Sequence, residues 1–383
     1  MKKIIISTGE VSGDLHGAQL AKALKAINPD VKIIGIGSTQ MKEAGVDVRL
    51  DLSHASTIGI FEPLKFLKTL WSGLDQIVKL ITDERPDAFI PIDNQGFHMM
   101  ILKRIKHLGV PSFYFISPQE WQWGTEKAGR EVLKVVTKIL AIFPQEEAFY
   151  KKLGGDVTYV GHPIIDVAKS DMPRETFLKS LGVVSTQKIL GIFPGSRHQE
   201  IKRVAPILIE AAKKIIDKHP DITPVLSIVD KKYEADLKKA VNKAGLDSVK
   251  YMYKNGYDLI EHSTLSLITS GTIALEHAVM GTPCIAAYKF SWPTYIVART
   301  VFRERLKRLP FMTLPNLIMG EEIIPEFLQT KATSTAISNK AETLLSETFQ
   351  KDMKVRFAKV VEKLGSPGVY SRAASEIFCK IFR

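Results

Sequence analysis

The sequence predicts an α/β protein with two parallel-sheet domains and a helical tail, and three observations carry that prediction. The chain has 383 residues, more than one hydrophobic core usually spans, since single cores stop growing at about 250–300 residues. Short β-branched runs alternate with segments of helical period along most of it, the pattern of βαβ units with helices on both faces of a sheet. After Thr330 the alternation stops and only polar helical periodicity remains.

Taken in order, strands are predicted at Lys3–Ser7, Val31–Gly35, Ala88–Ile92, Ser112–Ile116, Ile139–Ile142 and Val157–Val160. A second series follows at Lys188–Phe193, Thr223–Ile228, Val249–Met252, Leu265–Ile268 and Cys284–Ala286. Two series imply two Rossmann-like domains. The join is expected between Gly161-His162-Pro163 and the strand at Lys188, where Asp171-Met172-Pro173 and a polar helix over Arg174–Leu181 break the rhythm. The expected division is therefore residues 1–165, residues 166–330 and a helical segment over 331–383.

With 45% apolar and 25% charged residues the chain is neither disordered nor fibrous. Its net charge of +12 is uneven, about +2 over residues 1–170 and about +10 over 171–383. A basic surface concentrates anions, which leaves a nucleotide, a phospholipid headgroup or nucleic acid as partners. Cys284 and Cys379 are too few for a disulfide framework or a four-cysteine zinc site, which suits a reducing cytoplasm. The apolar run Ile4-Ile5-Ile6 ends at Ser7-Thr8-Gly9-Glu10, too soon for a signal peptide, and reads as a first strand. No stretch reaches the 18 or so apolar residues of a membrane-spanning helix, so any membrane contact is expected to be peripheral.

Loops after strands carry the chemistry, because open α/β sheets bind ligands at the carboxyl ends of their strands. The first, Gly9-Glu10-Val11-Ser12-Gly13-Asp14, fits neither G-x-G-x-x-G nor a P-loop. Ser12, Gly13 and Asp14 are candidates for substrate contact, with helix capping by Ser12 or Asp14 as the structural alternative. Glu10 stands between glycines with no packing duty. In Ile92-Asp93-Asn94-Gln95-Gly96-Phe97-His98, Asp93 lies just past a strand end, where acids and bases are projected, or else caps the next helix. Ser117, Gln119 and Trp121 in Ser117-Pro118-Gln119-Glu120-Trp121-Gln122-Trp123-Gly124 suit sugar or acyl contact, or simply cover the sheet edge.

In the second series, Phe193-Pro194-Gly195-Ser196-Arg197-His198-Gln199-Glu200 joins a strand to a helix. Ser196 and Gln199 read as a capping box, and Gly195, Ser196 and Arg197 as an anion site suited to a diphosphate. Ser270, Gly271 and Thr272 form a second such turn, with Glu276 one helical turn later, where it could accept both hydroxyls of a ribose. Together they predict a nucleoside diphosphate site. No D-x-D, H-E-x-x-H, C-x-x-C or G-x-S-x-G occurs, so neither a dedicated metal site nor a serine hydrolase is expected, and no cofactor is implied.

Two amphipathic stretches remain. From Ile60 to Ile81 a stripe of Ile60, Leu64, Leu67, Trp71, Leu74, Val78 and Ile81 should face the core, leaving Phe61, Phe66, Leu70 and Ile77 off it. From Tyr288 to Met312, Phe290, Trp292, Tyr295 and Phe302 mix with Arg299, Arg303, Arg305, Lys307 and Arg308, which fits an anionic membrane interface. No nucleic-acid motif accompanies them, so nucleic acid is the least favoured partner.

In order and spacing these motifs, continued by Val160-Gly161-His162-Pro163, Ala274-Leu275-Glu276 and Leu314-Pro315-Asn316-Leu317, resemble the lipid-A-disaccharide synthase family over nearly the whole chain. The resemblance implies a GT-B type inverting glycosyltransferase of two Rossmann-like domains. It would join UDP-2,3-diacylglucosamine to 2,3-diacylglucosamine 1-phosphate without a metal, peripherally bound to the cytoplasmic face of the inner membrane. It also implies UDP on the second domain, the acceptor on the first, Asn316 facing the cleft, and a homodimer exchanging C-terminal helices. Members with I-D-x-P-D-F-N carry a second Asp thought to be the base, where this chain has Gly96. Asp93 then leads as base, with His98, Glu10 and Asp87 behind it. Other readings are another UDP-sugar enzyme on this fold, such as a 2-epimerase or undecaprenyl-linked transferase, and a non-catalytic basic membrane- or RNA-binding protein.

Overall fold

The computed structural model describes residues 2–9, 11–51, 63–122, 124–184, 186–253, 256–291 and 310–382, without the side chains of 11, 12 and 63–70. The first half runs β1 (Lys3–Thr8), α1 (Val11–Ile27), β2 (Lys32–Ile36), α2 (Thr39–Glu43), β3 (Asp47–Leu50), α3 (Pro63–Glu84), β4 (Ala88–Ile92) and α4 (Gln95–Ile105). It continues through β5 (Phe113–Phe115), α5 (Glu126–Leu133), β6 (Lys138–Ala141), α6 (Pro144–Lys152) and β7 (Val157–Tyr159). Then come α7 (Ile164–Val167), α8 (Arg174–Ser180), β8 (Lys188–Phe193), α9 (His198–Arg203), α10 (Ala205–Ile216), β9 (Ile222–Ile228), α11 (Glu234–Ala244) and β10 (Lys250–Tyr253). The remainder is α12 (Gly256–His262), β11 (Leu265–Thr269), α13 (Ile273–Met280), β12 (Cys284–Tyr288), α14 (Leu314–Met319), β13 (Glu326–Leu328), α15 (Ser334–Leu344), α16 (Glu347–Leu364) and α17 (Val369–Ile381).

The chain divides into two compact units, Met1–Pro163 with Leu364–Arg383, and Ile164–Lys363. The first is built on a seven-stranded sheet in the order β3-β2-β1-β4-β5-β6-β7, and every pairing is parallel. Ile4, Ile5 and Ile6 of β1 are fully buried, because a parallel sheet covered on both faces wants apolar residues at every position rather than alternate ones. Chain order reverses between β1 and β4, so the crevice that such a reversal opens lies at Thr8-Gly9 and at Asp93. A Cβ on Gly9 would fall 2.2 Å from Asn94 Nδ2, so the two loops meet only because residue 9 has no side chain.

The second unit has a six-stranded parallel sheet, β10-β9-β8-β11-β12-β13. Its reversal lies between β8 and β11, which places the Pro194–Arg197 and Ser270–Thr272 turns side by side at the carboxyl ends.

The helical segment expected over 331–383 is shared between the two units. In the second unit α15 packs on α10, whereas α17 lies on α1 in the first. Val369, Tyr370, Ala373, Ala374, Ile377, Phe378 and Ile381 bury one face of α17, so it has a partner within its own chain. Among the described side chains of α3, Leu74, Ile77 and Ile81 are buried, while Trp71 is 49% exposed beneath the Arg104 guanidinium; Ile60, Leu64 and Leu67 of the expected stripe lie outside the described side chains. The expected face is thus corrected: Ile77, four residues before Ile81, faces the core, and Trp71 does not. Residues 292–309, which hold most of the aromatic and basic stretch, lie outside the described residues, as does Glu10.

Candidate active site

At the carboxyl edge of the first sheet the backbone is bent into a conformation that side chains resist. Asp93 (φ 56°) and Asn94 (φ 45°) follow β4, and Ile116 (φ 57°) follows β5. Left-handed backbone costs a non-glycine residue roughly 1–2 kcal/mol and persists only where surrounding contacts enforce it. Here the enforcing contacts converge on one carbonyl. The Asp93 carbonyl accepts hydrogen bonds from the Tyr114 hydroxyl at 3.0 Å and from His98 Nδ1 at 2.6 Å, while the Asp93 N–H donates to the Phe115 carbonyl at 3.2 Å.

This geometry fixes the state of His98. A carbonyl can only accept, so Nδ1 carries the proton and Nε2 accepts from the Ser7 hydroxyl at 3.0 Å. Complete burial drives the imidazole pKa down to about 4, so the ring is neutral at physiological pH. His98 therefore supports the loop from beneath and does not present itself to a substrate. The Asp93 carboxyl has its pKa raised, because the strand ends around it desolvate the charged form, against one opposing bond from the Asn94 N–H. Its outer face stays exposed.

Asp14 is buried, and its two carboxylate oxygens accept from the N–H groups of Ser38 at 2.6 Å and Gln40 at 2.8 Å, so it holds the start of α2. Gly13 is buried beside Thr8. Ser117 is buried too, and its hydroxyl donates to Glu146 Oε1 at 2.5 Å. Glu146, fully buried, also accepts from the N–H groups of Ile142 and Phe143, and desolvation pushes its pKa up to about 7. Gln119 and Trp121 are partly exposed and paired, the indole N–H donating to Gln119 Oε1 at 2.8 Å. The Trp121 ring lies 5.5 Å from Phe143, which in turn lies 5.0 Å from His162.

In the second unit the capping box is not the one expected. Arg197 is the N-cap of α9 and Glu200 is the residue that closes it, its Oε2 accepting from the N–H groups of Ser196 at 2.9 Å and Arg197 at 3.1 Å. The helix starts one residue later than a Ser196–Gln199 pair requires, and Gln199 instead accepts from Arg203. With those two N–H groups engaged, the group this turn offers to an anion is the Arg197 guanidinium. Its side chain is 77% exposed and only loosely held by Glu200 Oε1 at 3.4 Å.

Gly271 and Thr272 are exposed at the end of β11, and the Ser270 N–H extends the ladder to the Ala287 carbonyl. Glu276 is half-buried, its Oε1 accepting from the Tyr257 hydroxyl at 3.4 Å, and desolvation raises its pKa. Tyr257 was not legible as a site residue, since it opens a short helix far from Glu276 in sequence. Asn316 is fully buried, its Nδ2 donating to the Ile324 carbonyl and Glu326 Oε1, and its Oδ1 accepting from the Ile323 and Ile324 N–H groups, all at 2.8 Å. These four bonds hold the segment 323–326 that leads into β13. Among the described residues no group of three or more His, Cys, Asp or Glu could hold a metal ion.

Two parallel-sheet units, each with loops gathered at its reversal point, define a two-domain α/β fold of the GT-B type. Solved structures of that class share the fold across the chain. A structure of S. aureus MnaA with UDP has TM-score 0.68 at 14% identity, covering 100% of this chain and 97% of that one. UDP-GlcNAc 2-epimerase from Neisseria meningitidis bound to UDP-GlcNAc has TM-score 0.62 at 12% identity, covering 100% of both. Within the class, the family model described as lipid-A-disaccharide synthetase matches residues 4–381. Lipid-A-disaccharide synthase of Geobacter metallireducens is 34% identical over 97% of this chain and 96% of its own, and that of Sulfurihydrogenibium sp. is 34% identical over 98% of both. The chain belongs to the lipid-A-disaccharide synthase family, and is a glycosyltransferase of lipid A biosynthesis.

Proposed function

We propose that the chain transfers the sugar of UDP-2,3-diacylglucosamine to the 6-hydroxyl of 2,3-diacylglucosamine 1-phosphate, releasing UDP and a β-1,6-linked disaccharide 1-phosphate. An α-linked donor giving a β-linked product needs one in-line displacement. The acceptor oxygen bonds to the anomeric carbon as the bond from that carbon to the diphosphate oxygen breaks, and the hydroxyl proton passes to a carboxylate. The observation that supports this reading is the pair of reversal points, with Asp93 at one and Arg197, Ser270–Thr272 and Glu276 at the other.

Asp93 takes the proton in this scheme. Its raised pKa brings it closer to a hydroxyl's needs than an ordinary aspartate, and His98, Ser7 and Tyr114 hold it in place. Glu10 is a second candidate for that duty. Arg197 and the Ser270–Thr272 turn meet the charge that grows on departing UDP, and Glu276 the ribose hydroxyls. Gly13, Ser12, Gln119 and Trp121 belong to the acceptor side. The test is to incubate the purified protein with both substrates and follow UDP and disaccharide. Disaccharide is expected, and UDP binding with no disaccharide would sink the reading in favour of another UDP-sugar enzyme.

No helix among the described residues is long and apolar enough to cross a membrane. Acylated substrates must nevertheless be drawn from a bilayer, and the basic, aromatic residues between 288 and 312 supply the contact in this proposal, on the cytoplasmic face of the inner membrane. Neutralising Arg303, Arg305 and Arg308 together should weaken sedimentation with anionic vesicles, and unchanged sedimentation would remove the patch from the account. A homodimer that exchanges α17 is also proposed, its exchanged face being the one that covers α1 within the chain.

A further inference from the structure

We propose that Glu120 binds the acceptor, accepting a hydrogen bond from the hydroxyl beside the one that attacks; this rests on the reading of Asp93 as the proton acceptor. Glu120 follows β5, and only 8% of its surface is exposed. Its Oε1 accepts from Gln95 Nε2 at 2.5 Å. Gln95 stands two residues after Asp93, so this bond ties the Glu120 carboxylate to the loop that carries Asp93. Room for it is made by a glycine: a Cβ on Gly124 would fall 1.5 Å from Glu120 Oε2. Beside Gln95, a Cβ on Gly96 would meet nothing within 4 Å, so the surface next to the pair is open.

A carboxylate has about four lone-pair positions, and one amide bond leaves most of them unfilled. Among the described residues Glu120 makes no ion pair, and its one side-chain hydrogen bond is to Gln95. Its remaining acceptor positions are open to donors from a bound molecule. Sugar hydroxyls are such donors. The attacking hydroxyl has one proton, which goes to Asp93, so Glu120 must take a different one. In an acceptor acylated at positions 2 and 3 and phosphorylated at 1, with the ring oxygen at 5, the 4-hydroxyl is the one that remains. Holding it aims the neighbouring 6-hydroxyl.

The experiment is steady-state kinetics with the acceptor varied at saturating donor. For Glu120→Gln, kcat/KM for the acceptor should fall about 10- to 100-fold, the range of a hydrogen bond to a charged group, with donor KM unchanged. A 4-deoxy acceptor should cost the wild type a similar factor and the variant little more. Gln95→Ala, an exposed position, should shift the same parameter in the same direction with folding intact. Wild-type acceptor kcat/KM in Glu120→Gln would overturn the inference while leaving Asp93 untouched. An inactive Glu120→Gln beside an active Asp93→Asn would overturn both, and make Glu120 the proton acceptor.

Discussion

Asp93→Asn should abolish turnover while leaving UDP affinity largely intact. Asparagine has the same size and, with aspartate, is among the few residues that tolerate left-handed backbone, so the φ of 56° and the bonds to His98 and Tyr114 should survive. What it lacks is a group that can take a proton from a hydroxyl. General-base catalysis contributes about 10²- to 10⁴-fold, and kcat should fall by that much. Donor binding belongs to the second unit in this account, so a UDP titration should be unaffected. The acidic limb of the wild-type kcat profile should lie above the ordinary aspartate value of 3.8, because burial raises the Asp93 pKa. An active Asp93→Asn with an inactive His98→Ala would move the role to His98, against the buried, neutral ring seen here.

The second large effect concerns stability and comes from Glu146. Its pKa is raised from 4.5 to about 7 by burial, so between those values the folded chain keeps a proton that the unfolded chain has released. Stability from this group is complete below about pH 4.5, declines as pH rises toward 7, and is level above it. A shift of that size corresponds to about 3 kcal/mol at roughly 1.4 kcal/mol per unit. Other carboxylates with lowered pKa, Asp87 and Asp156 among them, push the opposite way, so the difference between proteins is the informative quantity. Denaturant midpoints of wild type and Glu146→Gln, compared across pH 4.5–7, should converge or cross as pH rises. A pH-independent difference would show that Glu146 does not titrate in this window.

The long apolar strands were legible because a doubly covered parallel sheet writes itself as unbroken runs such as Ile4-Ile5-Ile6 or Ala88–Ile92. Edge strands carry no such mark. β3 is Asp-Val-Arg-Leu, half-exposed and charged, and β13 has three residues, and neither is among the predicted strands. The loops after strands were expected as sites for a topological reason, and the sheet orders place those after β1, β4, β8 and β11 at the reversal points. The partner of each side chain was not legible. Asp14 caps a helix 24 residues away, Asn316 turns inward to hold residues 323–326, and Glu120, in the loop after β5, meets Gln95 at the start of α4. Each pairing is decided by folding elements together, and nothing in the local spacing announces it. Trp71 and Ile77 exchanged places for a related reason. The buried face of α3 is centred on Leu74, Ile77 and Ile81, and Trp71 lies at its edge, where spacing alone does not decide burial.

The central claim is a single inverting displacement served by the chain's own side chains. Its most direct test is the anomeric configuration of the disaccharide formed from the α-linked UDP donor, determined by NMR on product made in the presence of a metal chelator. A β linkage formed at an undiminished rate is the predicted result. An α linkage, or no product until a divalent cation is restored, would contradict it.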